Sequence, residues 1–171
     1  ALDAVTTQGG NTVIGYNAAS ALVTTGVTAI GYQAMISSTT GYDTVAIGQS
    51  ALTSNTTGNQ NVAVGFNAMY SNTTGNDNVA IGNGALDANT TSSYSTAVGK
   101  DALTTSTGPY NTAMGVGALA LCTSGQQNTA VGYHSSRAVT TGLYNTSIGL
   151  ESAKSATTGS YNTCLGYRAG H

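Results

Sequence analysis

A large apolar residue stands directly before each of ten regularly spaced glycines along this chain: Ile14, Ile30, Ile47, Val64, Ile81, Val98, Met114, Val131, Ile148 and Leu165. The glycines that follow are Gly15, Gly31, Gly48, Gly65, Gly82, Gly99, Gly115, Gly132, Gly149 and Gly166, at intervals of 17 residues, with 16 at the first and sixth. Three residues before each glycine the chain is always β-branched, from Thr12 and Thr28 through Val45, Val62 and Val79 to Thr163. Residues two apart on a strand share a face, and β-branched side chains suit a pleated surface. The pattern therefore predicts a short strand in each repeat, with these two columns facing inward. Between them runs a column of small residues, including Ala46, Ala63, Ala80, Ala97, Ala113 and Ala130. Alternation sends that column outward, where its smallness suits close approach of another backbone, so these six alanines are the expected subunit contacts.

Four residues before the glycine come Asn11, Asn61, Asn78, Asn111, Asn128, Asn145 and Asn162. Stacked at a strand spacing of about 4.7–4.9 Å, they are expected to bond amide to amide, as in cross-β ladders. After the glycine, Ala or Ser recurs at the third position and Leu or Met often follows, as at Ala51-Leu52 and Ala68-Met69. This predicts a second, shorter inward-facing stretch, too short for an α-helix. A Thr-Thr-Gly phrase, seen at Gly41, Gly58, Gly75, Gly142 and Gly159, then turns the chain back. Each coil is thus read as two short strands and two turns.

A lone coil cannot fold. It buries about three apolar side chains, each contributing at most ~1.5–3 kcal/mol, against ~1–2 kcal/mol of backbone entropy per ordered residue. Stacked coils share a core and satisfy each other's backbone groups. The expected fold is all-β: one parallel β-solenoid, or β-roll, of about ten 17-residue coils spanning residues 1–171 as a single repeat array. At the strand spacing it is a rod of about 45–50 Å. Ala1-Leu2 stand in the phase of Ala51-Leu52, and the chain stops in mid-coil at Gly170-His171. Solenoid ends need polar caps, so a segment of a longer fibre is expected.

Composition narrows the function classes. Only 6% of residues are charged, four Lys+Arg against six Asp+Glu, and 40% are hydrophobic, which is unlike a disordered chain. Lys100, Arg137, Lys154 and Arg168 are too scattered to track phosphates, so no nucleic-acid partner is expected. No apolar run has the length of a membrane span. Cys122 and Cys164 fall at different phases of the repeat and read as free, partly buried thiols, the alternative being a bridge if the coils set them side by side.

No catalytic set, cofactor site or metal site emerges, and the chain is read as non-enzymatic. Asp3, Asp43, Asp77, Asp87, Asp101 and Glu151 are spread over different coils. Asp43 and Asp77 share a phase but lie two coils, ~9–10 Å, apart. His134 lacks a second ligand nearby, and His171 is terminal. Asn55, Asn72, Asn89 and Asn145 match the glycosylation acceptor pattern, as chance allows in a chain this rich in Asn and Thr. Exposed aromatic rings beside Asn and Thr are the candidate glycan contacts: Tyr16, Tyr32, Phe66, Tyr133, Tyr144, Tyr161 and Tyr167. The alternative is that the rings, with Tyr94 and Tyr110, pack on one another along the coil edges. The Thr-Thr columns offer a weaker case for an ice-binding array, because adjacent threonines point to opposite faces of a strand.

Phrases such as Asn78-Val79-Ala80-Ile81-Gly82 and Asn128-Thr129-Ala130-Val131-Gly132-Tyr133 resemble the head repeats of trimeric autotransporter adhesins, whose own unit is shorter. The longer unit, as in Ala68-Met69-Tyr70-Ser71-Asn72-Thr73-Thr74-Gly75, is similar to repeats of bacteriophage tail-fibre proteins. The resemblance implies a left-handed roll assembled as a homotrimer, in an extracellular, cell-surface or virion-associated fibre. The expected function is a structural shaft or adhesin segment contacting cell-surface glycans. The competing expectation is a dedicated ice-binding or polysaccharide-binding β-solenoid module.

Overall fold

The computed structural model describes residues 9–170, so Ala1, Leu2, Asp3 and His171 lie outside the described residues. Ten three-residue strands follow one another: β1 (Thr12–Ile14), β2 (Thr28–Ile30), β3 (Val45–Ile47), β4 (Val62–Val64), β5 (Val79–Ile81), β6 (Thr96–Val98), β7 (Thr112–Met114), β8 (Thr129–Val131), β9 (Thr146–Ile148) and β10 (Thr163–Leu165). They form one parallel sheet in strict sequence order, β1 to β10. The register never slips: Ala46 pairs with Ala63, Ala63 with Ala80 and Ala80 with Ala97. This is a parallel β-solenoid of about nine turns with a 17-residue repeat, and no helix occurs among the described residues. Numbering each coil by its strand, the layers pile up as the repeat predicts.

The faces of the strand are the reverse of the expectation. The small column is the inner one: Ala29, Ala46, Ala63, Ala80, Ala97, Ala113 and Ala130 have no exposed surface. The column before the glycine points out of the coil, with Ile47 at 37%, Ile81 at 40%, Met114 at 45% and Ile148 at 40% exposure. The β-branched column, three before the glycine, is only half-buried on the same outer face. The physical reason is room. A 17-residue coil encloses a narrow lumen, and the opposite wall already fills it with Met35, Leu52, Met69, Leu86, Leu103 and Leu119, all buried. Only a methyl fits against them from the strand.

The second expected strand is also absent. Each coil has one strand, and the Ala-Leu stretch is a run of turns. Its residues alternate into the left-handed region, as at Ser50 (φ 58°) and Leu52 (φ 51°), or Asn67 (φ 54°) and Met69 (φ 52°). That conformation is costly for non-glycine residues. It lets two successive side chains, such as Ala51 and Leu52, both point inward, where a strand would separate them. Coil-to-coil bonds continue through it nonetheless: the Leu52 N–H donates to the Ala68 carbonyl at 3.0 Å and the Ser50 N–H to that of Tyr32 at 2.9 Å.

Two asparagine ladders line the rest of the lumen. In the first, the Asn145 side-chain amide donates to Asn128 Oδ1 at 3.0 Å, and Asn162 to Asn145 Oδ1 at 2.9 Å, as the repeat predicts. Backbone donors join in, with the Asn78 N–H bonded to Asn61 Oδ1 at 3.0 Å. The second ladder, Asn55, Asn72 and Asn89, was not foreseen. The Asn72 amide donates to Asn55 Oδ1, and that of Asn89 to Asn72 Oδ1, each at 2.9 Å. These three acceptor-pattern asparagines are fully buried and out of reach of glycosylation in the folded chain. Glycines of the Thr-Thr-Gly phrase such as Gly41, Gly58, Gly75 and Gly142 are needed for space rather than for backbone freedom. A Cβ on Gly58 would stand 2.5 Å from the Gly75 carbonyl oxygen and also meet Asn55 Oδ1.

Candidate functional site

Through most of the array the lumen is filled, which leaves the outer surface of the strands and its two flanking columns as the main exposed surface. The apolar residues β1 to β10 turn outward form one continuous stripe from Ile14 to Leu165. Directly beyond the repeat glycine, a second exposed column adds Tyr16, Tyr32, Phe66, Val116, Tyr133, Leu150 and Tyr167. The glycine joins the two columns and draws the coils together. Gly65 has φ 137°, and a Cβ there would lie 2.5 Å from the Gly82 carbonyl oxygen. The result is an apolar band along the rod, continuous in its first column and interrupted in its second by Gln49, Asn83 and Lys100. Monomeric proteins rarely leave contiguous apolar patches of such extent uncovered.

This placement corrects the expected subunit contacts. Ala46, Ala63, Ala80, Ala97, Ala113 and Ala130 are buried inside their own chain and can touch no other. Five of the candidate glycan contacts, Tyr16, Tyr32, Phe66, Tyr133 and Tyr167, belong to the apolar band. Tyr144 and Tyr161 belong elsewhere, to the column that precedes the asparagine ladder, together with Tyr94 and Tyr110. The rings do pack on one another along the rod. Tyr16 and Tyr32 stack with centroids 5.5 Å apart, Tyr94 and Tyr110 at 5.2 Å, and Tyr144 and Tyr161 at 5.0 Å. All remain substantially exposed. Tyr94, Tyr110, Tyr144 and Tyr161 each have φ between 56° and 64°, so this corner accepts a bulky residue in the left-handed region.

The first threonine of the Thr-Thr phrase is used internally, as at Thr56 and Thr73, while the second, as at Thr57 and Thr74, is exposed. Thr56 Oγ1 donates to the Thr73 carbonyl at 3.0 Å, Thr73 Oγ1 to that of Thr90 at 3.0 Å, and Thr123 Oγ1 to that of Thr140 at 3.2 Å. These three hydroxyl protons are therefore committed to the next coil.

Charged and titratable side chains meet this band at few points: Lys100 stands in its second column, His134 lies against Tyr133 and Arg168 reaches over the Tyr167 ring at 5.2 Å. Glu151 accepts from Lys154 Nζ at 2.6 Å and from Arg168 Nε at 2.8 Å, bridging the ninth and tenth coils. Those two hydrogen bonds hold its carboxyl below the usual carboxylate range. Burial, and then the charge of Asp101, raises the Asp87 carboxyl. Desolvation and then the nearby Arg137 and Lys154 lower His134, whose ring lies 3.9 Å from that of Tyr133. Asp43 and Asp77 are exposed in one column with Gln60 between them. No group of three or more His, Cys, Asp or Glu able to hold a metal occurs among the described residues.

Both thiols are free. Cys122 sits at a buried phase shared with Asn55 and Asn72, and burial pushes its thiol up to about 11. Cys164 occupies the inner strand column at the tenth coil, half-buried. It borders a cavity of about 180 Å³ lined by Ser136, Val139, Asn145, Ser147, Ala153 and Ala156, among others. The cavity exists because Ser136, Ala153 and Gly170 replace the Leu or Met that fills earlier coils. No helix among the described residues is long and apolar enough to cross a membrane.

Fold and surface together define a parallel β-solenoid repeat protein with one apolar outer face. Comparison with protein-family models, with curated proteins and with solved structures found no match to the chain.

Proposed function

We propose that this chain is a structural, non-enzymatic fibre segment that assembles with two further copies of itself through its outward apolar stripe. One observation carries the reading: Ile, Val, Met and Leu stand on the outer face in every coil from Ile14 to Leu165. Fully burying each such side chain contributes about 1.5–3 kcal/mol. Ten in a row give an assembly free energy that grows with the number of coils, as a shaft needs. The resemblance to autotransporter head repeats and phage tail-fibre repeats supports a left-handed roll, a threefold assembly, and an extracellular, cell-surface or virion setting. Its role is a stiff spacer that also contacts a cell-surface glycan through exposed tyrosines.

The test is native mass by analytical ultracentrifugation at micromolar concentration. Three times the 17.0 kDa chain mass is expected. The double variant Ile81→Asp/Met114→Asp is expected to run as a folded monomer, because both side chains point away from the core. A monomeric parent chain would sink the reading. A monomer that shapes ice would instead favour the rival, a binding module, since the same outer face carries a regular row of threonines at Thr96, Thr112, Thr129 and Thr146.

A further inference from the structure

We propose that Tyr110, Gln127 and Tyr144 form a slot for the pyranose ring of a neutral carbohydrate. The inference deepens the glycan contact above and is independent of threefold assembly. These residues occupy one column in three consecutive coils. The Tyr110 N–H bonds to the Ser93 carbonyl at 3.3 Å, that of Gln127 to Pro109 at 3.4 Å, and that of Tyr144 to Gln126 at 3.2 Å. Below the slot Tyr110 stacks on Tyr94 with an interplanar angle of 4°, and above it Tyr144 stacks on Tyr161 at 13°. Within each pair the facing ring surfaces cover each other. Around Gln127 no such stack occurs: the layer between Tyr110 and Tyr144 holds an amide side chain where its neighbours hold a ring, which leaves one face of each tyrosine without a stacked aromatic partner.

The width of that gap selects the ligand. Two strand spacings put the rings about 9–10 Å apart. A saturated ring set midway would lie about 4.5–5 Å from each aromatic centroid, within the spacing at which rings pack. Pyranoses have apolar C–H faces for the two tyrosines and a hydroxyl rim for hydrogen bonds. Gln127 offers an amide that both donates and accepts, and the two phenols do the same. Residues 107–110, 124–127 and 141–144 carry no charge, which suits a neutral sugar over an anionic one. Tyr32, Gln49 and Phe66 repeat the ring–amide–ring order in the column beyond the repeat glycine. That copy borders the apolar stripe and would be covered by assembly, so the Gln127 slot is the one available to a ligand.

The experiment titrates the full chain with maltotriose, cellotriose and chitotriose, followed by saturation-transfer NMR, with adenosine as a planar control. Gln127→Tyr fills the missing layer. It preserves the fold, because tyrosine already occupies this phase at Tyr94, Tyr110, Tyr144 and Tyr161 with the same positive φ. Saturable binding of at least one trisaccharide is expected, weakened about tenfold or more in Gln127→Tyr and in Tyr144→Ala. Failure of all three sugars to bind, binding that survives Gln127→Tyr, or preference for adenosine would each overturn the slot. Sedimentation of the same samples reads the assembly separately, so loss of sugar binding with an intact trimer condemns the slot alone.

Discussion

Gly65 does two things that no other residue can do together. Its φ of 137° lies where L side chains are strained, and its missing Cβ leaves room for the Gly82 carbonyl. Every repeat glycine from Gly15 to Gly149 meets its successor in the same way. Gly65→Ala is therefore expected to cost about 3 kcal/mol or more, from backbone strain plus a displaced coil contact. Urea-induced unfolding checks it, and a loss under about 1 kcal/mol would mean that the layers can separate locally. Non-glycine residues in the left-handed region, such as Leu52, Leu103 and Tyr110, were not foreseen from the sequence. Leucine and tyrosine carry no propensity signal for that conformation. What holds them there is the neighbouring coil, whose carbonyl takes the Leu52 N–H.

At the scale of the element, the turn segment that carries Leu or Met is as regular as the strand. The phase that begins with Leu22 and Ser38 and runs through Asn55 to Val139 is another inner wall, visible in the sequence only as part of an Asn-Thr-Thr pattern. The coils around the cavity break the filling rule at Ser136, Ala153 and Gly170. Ala153 already has φ 49°, close to the 51° of Leu103, so leucine fits its backbone without new strain. Ala153→Leu should stabilise the chain by about 1–2 kcal/mol, as cavity filling into preformed space does. A rise in thermal midpoint is the readout. A fall would mean that the cavity closes in solution. Ser136 is the poorer choice, since its hydroxyl pairs with that of Ser147 at 2.7 Å and leucine would orphan the partner.

For the whole molecule, stability comes from apolar burial, stacked amides and coil-to-coil backbone bonds, with very little charge. The ion pairs found among the described residues are Lys100–Asp101 at 3.8 Å and the two pairs that converge on Glu151. Lys100–Asp101 is exposed, so it contributes little and is screened by salt, whereas Glu151 is largely buried beneath its two partners, where screening is weak. The thermal midpoint of the chain is thus expected to move by less than about 2 °C between low and moderate sodium chloride. A larger drop would mean that the Glu151 cluster holds the end of the array together. The apolar stripe acts at this scale too. It is one column wide in any coil, and becomes a surface only because β1 to β10 stack without a slip in register.

The 17-residue period, the order of the layers and the first asparagine ladder could be read from the sequence alone. Each depends on residues recurring at one phase, and parallel stacking turns equal phase into contact. Which side of the strand is inside could not be read so. Period-two alternation separates two faces without naming the inner one, and the rule that large apolar residues go inward points the wrong way at Ile47, Ile81 and Met114. The lumen's width decides the matter, and that width is set by the opposite wall, where Leu52, Met69 and Leu86 leave space for alanine only. Only the tertiary structure brings those two walls together.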